Sequence, residues 1–104
     1  MTVFVETPLF TRLLSSYLSD DEYAALQGAL LRNPEIGAVV PESGGVRKMR
    51  WGLVGQGKRG GLRVIYYLRT HRGEIWLLTL YGKNVRENIS SAVLRRIKLS
   101  IDNA

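Results

Sequence analysis

Residues 46–69 hold seven Lys or Arg side chains and no Asp or Glu. The seven are Arg47, Lys48, Arg50, Lys58, Arg59, Arg63 and Arg69, and they are interleaved with apolar residues and with the pair Tyr66 and Tyr67. Arginine offers phosphate a planar fork of donors, and lysine offers a point charge. Tyrosine can stack on a base or supply a proton. The chemistry these types support together is binding of a phosphodiester and stabilisation of the extra negative charge that develops when its phosphorus is attacked. The plain alternative is a row of solvent-facing side chains. A surface tuned only for solubility mixes both signs, and this stretch does not.

The charge bias extends beyond that stretch. The chain has 104 residues and a net charge of +6. Residues 1–46 hold two basic and six acidic side chains, a net −4, whereas residues 47–104 hold thirteen basic and three acidic, a net +10. Such a division points to a polyanionic partner, most often nucleic acid.

Other chemistries find little support. His71 is the only histidine and falls in a turn-forming run, His-Arg-Gly, so a solvated turn residue is expected there. No Ser–His–acid set can be assembled, and the acidic residues lack metal-ligand spacing. No metal or cofactor is expected. The run GQGKRGG lacks the spacing of a phosphate-binding loop and has no helix behind it, so a basic loop over 55–61 is expected. The absence of Cys excludes disulfides and Cys-based zinc sites. No apolar run is long enough to span a bilayer, and the first ten residues do not resemble a secretory signal; a cytoplasmic protein without membrane contact is expected.

The elements that must position the cations can be read from pattern. VFVE, residues 3–6, reads as a short strand. Thr7 and Pro8 mark a helix start, and Leu9, Phe10, Leu13, Leu14, Tyr17 and Leu18 follow at helical spacing. Ser19-Asp20-Asp21-Glu22 is a capping box for a second helix, which carries Tyr23, Leu26 and Leu30 on one stripe and stops at Asn33-Pro34. After a turn-rich connection over 35–45, three strands are expected at 46–52, 61–70 and 74–81, the last two joined by a tight turn at His71-Arg72-Gly73. Asn84 and Glu87 suggest the cap of a final helix with Val85, Ile89, Val93 and Ile97 on its apolar edge. The expected fold is α+β: one domain over 1–104, in which a small antiparallel-type sheet packs on an N-terminal helical hairpin, in the order βααβββα.

Alternation along these strands separates two faces. Arg47 falls with Met49 and Trp51, and Lys48 with Arg50 on the opposite side. Arg63, Ile65 and Tyr67 share one face of the next strand. Thr79, Tyr81 and Lys83 line up on the last, with Leu78 and Leu80 behind them. If the three strands form a meander, Lys48, Arg50, Arg63, Tyr81 and Lys83 converge on one surface. Arg47, Lys58, Arg59, Tyr67 and Arg86 are further candidates for contact with nucleic acid.

The segments GGVRKMRWG, GKRGGLRVIYYL and IWLLTLYGKN, with YLSDDEY in the helical hairpin, resemble the RelE/HigB toxins of bacterial type II toxin–antitoxin systems, and the HigB-like branch most closely. The likeness spans about nine-tenths of the chain. It implies a RelE-like, microbial ribonuclease-like fold and an endoribonuclease that cuts messenger RNA in the ribosomal A site, inhibiting translation. On that pattern Lys48 and Arg50 match the basic pair of the first central strand, Arg63 matches the phosphate-holding arginine of the next, and Lys83 falls in the glycine–basic motif after the last. Two positions depart from it: Asn84 stands where some members have Arg, and Ser90 lies near the place of a catalytic Tyr in RelE. The likeness also implies a cognate antitoxin, a small protein often carrying a helix-turn-helix, through which alone operator DNA would be reached. Two alternatives stay open: a toxin that binds DNA gyrase, as ParE proteins do, and a non-catalytic RNA-binding module.

Overall fold

Thr7 decides where the first strand ends. The computed structural model describes the backbone of residues 1–53, 57–82, 85 and 89–104, and the side chains of all of these except 53 and 57–60. Strand β1 (Val3–Glu6) stops at Thr7, whose hydroxyl oxygen accepts the Phe10 N–H at 3.1 Å and whose hydroxyl donates to the Leu78 carbonyl at 2.7 Å. Pro8 then occupies the first turn of helix α1 (Pro8–Tyr17), where its missing N–H costs nothing. Ser19 closes a full capping box with Glu22 and starts helix α2 (Asp20–Arg32), and Asn33 caps its end ahead of Pro34. Tyr23 on α2 donates to the Glu6 carboxylate at 2.7 Å, which ties the hairpin to β1.

Four further strands follow: β2 (Ala38–Val39), β3 (Arg47–Leu53), β4 (Gly57–Arg69) and β5 (Glu74–Gly82). A short 3₁₀ turn over Thr70–Arg72 joins β4 to β5 and ends at Gly73 in the left-handed conformation. A Cβ at Gly73 would sit 2.7 Å from the Met1 carbonyl oxygen, so glycine is required there by both backbone and space. Helix α3 (Ser91–Asp102) completes the chain. The strands form one sheet in the order β1-β5-β4-β3-β2. β3, β4 and β5 are the expected meander, while β1 pairs parallel to β5, which makes the sheet mixed.

Each face of the sheet has its own core. The helical hairpin brings Phe10, Leu26 and Leu30 onto Met49, Leu62, Val64, Tyr66, Leu77 and Leu80. On the other face α3 brings Leu94 and Ile101 onto Val46, Ile65 and Leu78. Among the described residues no helix is long and apolar enough to cross a membrane.

The structure is α+β, as the sequence predicts, and departs from the expected detail in five places. β2 lies inside the expected connection; it is only two residues long, too short to produce alternation, and exists because it can pair with Arg47 and Lys48 of β3. β4 begins at Gly57, so a strand runs through most of the segment expected to be a loop; residues 54–56 lie outside the described ones. Glycine lowers strand propensity, but pairing with β3 overrides it. The pairing of β4 with β5 shifts between Ile65 and Tyr66, where Leu78 is an extra residue. This bulge sends Leu78 to the α3 side and Leu80 to the hairpin side, so the two do not lie together. α3 starts at Ser91 and not near Asn84, because the Ser90 hydroxyl accepts the Val93 N–H at 3.2 Å and the buried stripe runs through Leu94 and Ile101. Val85 is an exposed bend, and Asn84 and Glu87 lie outside the described residues. Finally, β1 adds a parallel pairing that no local pattern announces.

The link between α2 and β2 is held by polar contacts. Tyr66 is fully buried, and its hydroxyl donates to the Pro34 carbonyl at 2.6 Å while accepting the Gly37 N–H at 2.9 Å. A Cβ at Gly37 would come within 2.9 Å of the Tyr66 ring, so the close approach needs glycine. Tyr66→Phe strands a buried donor and is expected to destabilise the fold by about 1–3 kcal/mol, read as a lower urea midpoint with an unchanged slope.

Charges fasten the far end of α3. Asp102 receives the Tyr67 hydroxyl at 2.9 Å and the Lys98 ammonium at 2.8 Å, and Glu74 receives the Trp76 indole N–H at 3.0 Å and Arg69 at 3.5 Å. The Lys98 contact holds the Asp102 carboxyl below its ordinary value, and the Trp76 hydrogen bond does the same for Glu74. Stability from both is therefore complete above the ordinary carboxylate range near about 4 and is lost as pH falls through the lower folded-state values. Urea midpoints measured from pH 7 to pH 2.5 should fall at the acid end, and Asp102→Asn should flatten that fall.

Candidate nucleic-acid interface

The register of the meander decides which cations meet. Arg50 on β3 is the pairing partner of Arg63 on β4, and Arg63 is the partner of Tyr81 on β5. The three therefore form a single rung across three strands, with neighbouring Cβ atoms about 4.5–5.5 Å apart. Lys48 lies on the same face one repeat along β3, about 7 Å from Arg50 along the strand. Lys48 and Arg50 are exposed, and Arg63 and Tyr81 are half-buried.

Nothing described neutralises these cations. The ion pairs among the described residues are Arg69–Glu74 and Lys98–Asp102, and neither includes Lys48, Arg50 or Arg63. Of the three acidic residues in the basic half, Glu74 and Asp102 sit at the other end of the face, and Glu87 lies outside the described residues. Two guanidinium groups directly opposite each other cost the sheet a few tenths of a kcal/mol or more, up to about 1 kcal/mol.

α3 adds to the same field. Ile89, just ahead of α3, and Leu94, in its first turn, line a small cavity of about 50 Å³ together with Val40, Lys48, Ile65 and Tyr81. The N-terminal end of α3, the positive end of its dipole, thus abuts the cation rung. The cavity has room for water but not for a base. The sequence carried a signal for this contribution in the Ser90 cap ahead of the stripe at Val93, Leu94, Ile97 and Ile101, but the competing cap at Asn84 masked it.

The other candidates fall into distinct places. Arg47 is on the opposite face, where it donates to the carbonyls of Gly37 at 2.7 Å and Glu35 at 3.3 Å and braces the link to β2. Tyr67 shares the cation face but lies at its far end, bonded to Asp102; burial first, and then that carboxylate, push its hydroxyl up to about 12. Lys58 and Arg59 belong to β4, and their side chains lie outside the described residues. Lys83, Asn84 and Arg86 lie outside them as well. Ser90 is the cap of α3, so its hydroxyl is committed to the backbone. His71 is exposed in the turn after β4, roughly 20 Å along the strand from Arg63. Among the described residues no group of three His, Asp or Glu could hold a metal.

No family model matches the chain. Two guanidinium forks, an ammonium and a phenol on one face are a donor set of the kind that binds phosphate.

If the rung is kept for an anion, removing one of its charges relieves repulsion. Arg50→Gln and Arg63→Gln are each expected to raise stability by about 0.2–1 kcal/mol at low salt, with the gain shrinking as salt screens the pair. Urea midpoints at two ionic strengths check this.

Proposed function

We propose that this chain is an endoribonuclease of the RelE/HigB type that cuts messenger RNA on the ribosome. The observation that carries the reading is the rung Arg50–Arg63–Tyr81 with Lys48 beside it, in which neither arginine nor the lysine has an ion pair among the described residues. The likeness of GKRGGLRVIYYL and IWLLTLYGKN to that family supports it.

The reaction proposed is internal transfer. The 2′-oxygen of one nucleotide forms a bond to the adjacent phosphorus as its proton leaves, and the bond from phosphorus to the 5′-oxygen breaks as that oxygen is protonated. The products are a cyclic 2′,3′-phosphate and a 5′-hydroxyl. Arg63, at the centre of the rung, stabilises the charge that builds on the phosphoryl oxygens, and Arg50 shares that load. Arginine keeps its proton, so proton transfer falls to Lys48, Lys83 or Tyr81. With no histidine at the rung, the chain is a weak acid–base catalyst by itself. The ribosome compensates by holding the message in line for attack, which converts positioning into rate. The same reading supplies a cytoplasmic location, and a small DNA-binding antitoxin that occupies the chain when it is silent.

Expression of the chain is expected to shorten cellular messages at discrete positions, with 5′-hydroxyl ends, and to arrest translation. Arg63→Ala should lower cleavage about 100- to 1,000-fold while the urea midpoint does not fall. Intact messages with accumulated DNA breaks would replace this reading with gyrase poisoning, and a fully active Arg63→Ala protein would show that the rung is not the site.

A further inference from the structure

The outer surface of α3 repeats, in another form, the imbalance seen at the rung. Arg95, Arg96 and Leu99 are exposed along it. Neither arginine has an ion pair among the described residues. Glu42 lines one flank of α3 beside both arginines without forming an ion pair with either. Asp102, at the end of the helix, is already engaged by Lys98 and Tyr67. On the opposite flank a groove of about 520 Å³ runs between α3 and the sheet, with Trp76, Val93, Ile97 and Ile101 in its walls and Arg96 at its edge. It is a shallow depression, open to solvent along much of its length, and not an enclosed pocket. Trp76 is half-buried, and its one donor is spent on Glu74, so what its ring still offers a ligand is an apolar, stacking surface.

An aromatic ring in an apolar groove, with an unpaired guanidinium at the edge, suits a single-stranded nucleotide: the base stacks and the phosphate takes the arginine. An acidic peptide would satisfy Arg96 but has no particular use for the indole. The groove also lies on the face of the sheet that carries Arg50, Arg63 and Tyr81. Leu94 borders the cavity beside Lys48 and Tyr81, and Ile101 borders the groove, about 10 Å further along the helix. A strand leaving the rung along α3 therefore meets the groove next.

We infer that the groove between α3 and β5, lined by Trp76 and Arg96, is a second RNA subsite that takes a nucleotide flanking the bond held at the rung. The inference rests on the proposed function for the identity of the polymer, and it adds a contact that extends the recognised length of RNA beyond the cleaved linkage.

The test uses the full chain and a short single-stranded RNA made uncleavable by 2′-O-methylation. Trp51 and Trp76 are the two tryptophans, and Trp51 packs on the hairpin side of the sheet, so Trp51→Phe leaves Trp76 as the sole indole reporter. Binding, followed by anisotropy of the labelled RNA, should quench Trp76 fluorescence. The difference spectrum between the unaltered chain and Trp76→Phe gives the same reading should Trp51→Phe fold poorly. Arg96→Gln should weaken binding several-fold and lower the slope of log affinity against log salt by about 0.7. Arg63→Ala should bind the RNA more weakly yet reach the same quenching at saturating RNA, because the groove is separate from the rung. RNA that binds without quenching Trp76, or with an unchanged salt slope in Arg96→Gln, overturns the subsite while leaving the cleavage reading intact. Equal binding of an RNA whose bases have been removed, or quenching by polyglutamate as strong as by RNA, also overturns it, in favour of a simple anion or protein surface. Quenching by RNA in a protein that cuts no message sustains the subsite and removes the nuclease.

Discussion

The register between β4 and its two neighbours holds the rest in place. Met49, Val64 and Leu80 form one rung of the meander and point into the hairpin core, where all three are buried. The next rung is Arg50, Arg63 and Tyr81, which points the other way. A slip of one residue would exchange the two, burying charge and exposing the core. Apolar burial under α1 and α2 thus enforces the clustering of cations on the opposite face, at a distance and without touching them. The repulsion between Arg50 and Arg63 is small beside the burial that opposes it.

Coverage then separates basic residues that the sequence makes look alike. α3 lies across the cation face and protects only part of it. Under its far end Arg69 is buried, paired with Glu74 and bonded to the carbonyls of Asp102 and Ala104. Arg47 is likewise spent on structure, on the other face. Arg63, two repeats further along β4 from Arg69 than Tyr67 is, has no ion pair among the described residues. A charge that satisfies a carbonyl holds the fold together; Lys48, Arg50 and Arg63 carry no such commitment among the described residues. That contrast, more than the overall net charge, is what directs the functional reading to one end of the molecule.

Part of this was legible in the sequence, for a physical reason. The caps at Thr7 and Ser19, the stop at Asn33-Pro34 and the left-handed turn at Gly73 are settled by atoms within about four residues of one another, so residue identity suffices. Strand alternation likewise placed Lys48 with Arg50 and set Arg47 apart, because side-chain direction follows from the pleat alone. The shared face of Lys48, Arg50, Arg63 and Tyr81 needed only the added assumption of a meander.

What tertiary structure alone decided depends on residues far apart in the chain. β2 and the strand through Gly57 exist by pairing and not by propensity. The extra residue at Leu78 re-aims β5, and no local pattern distinguishes it from its neighbours. The start of α3 was contested by two plausible caps, and the winner was set by which stripe could be buried on Val46, Ile65 and Leu78. Commitments of Arg47, Arg69 and Tyr67 to carbonyls and carboxylates 10 to 35 residues away took three RNA-like side chains out of the open surface. Sequence by itself determined the types of group and the side of the strand each one takes; only the folded chain determined which of them are spent on carbonyls and carboxylates, because a charge's partners are chosen by proximity in space.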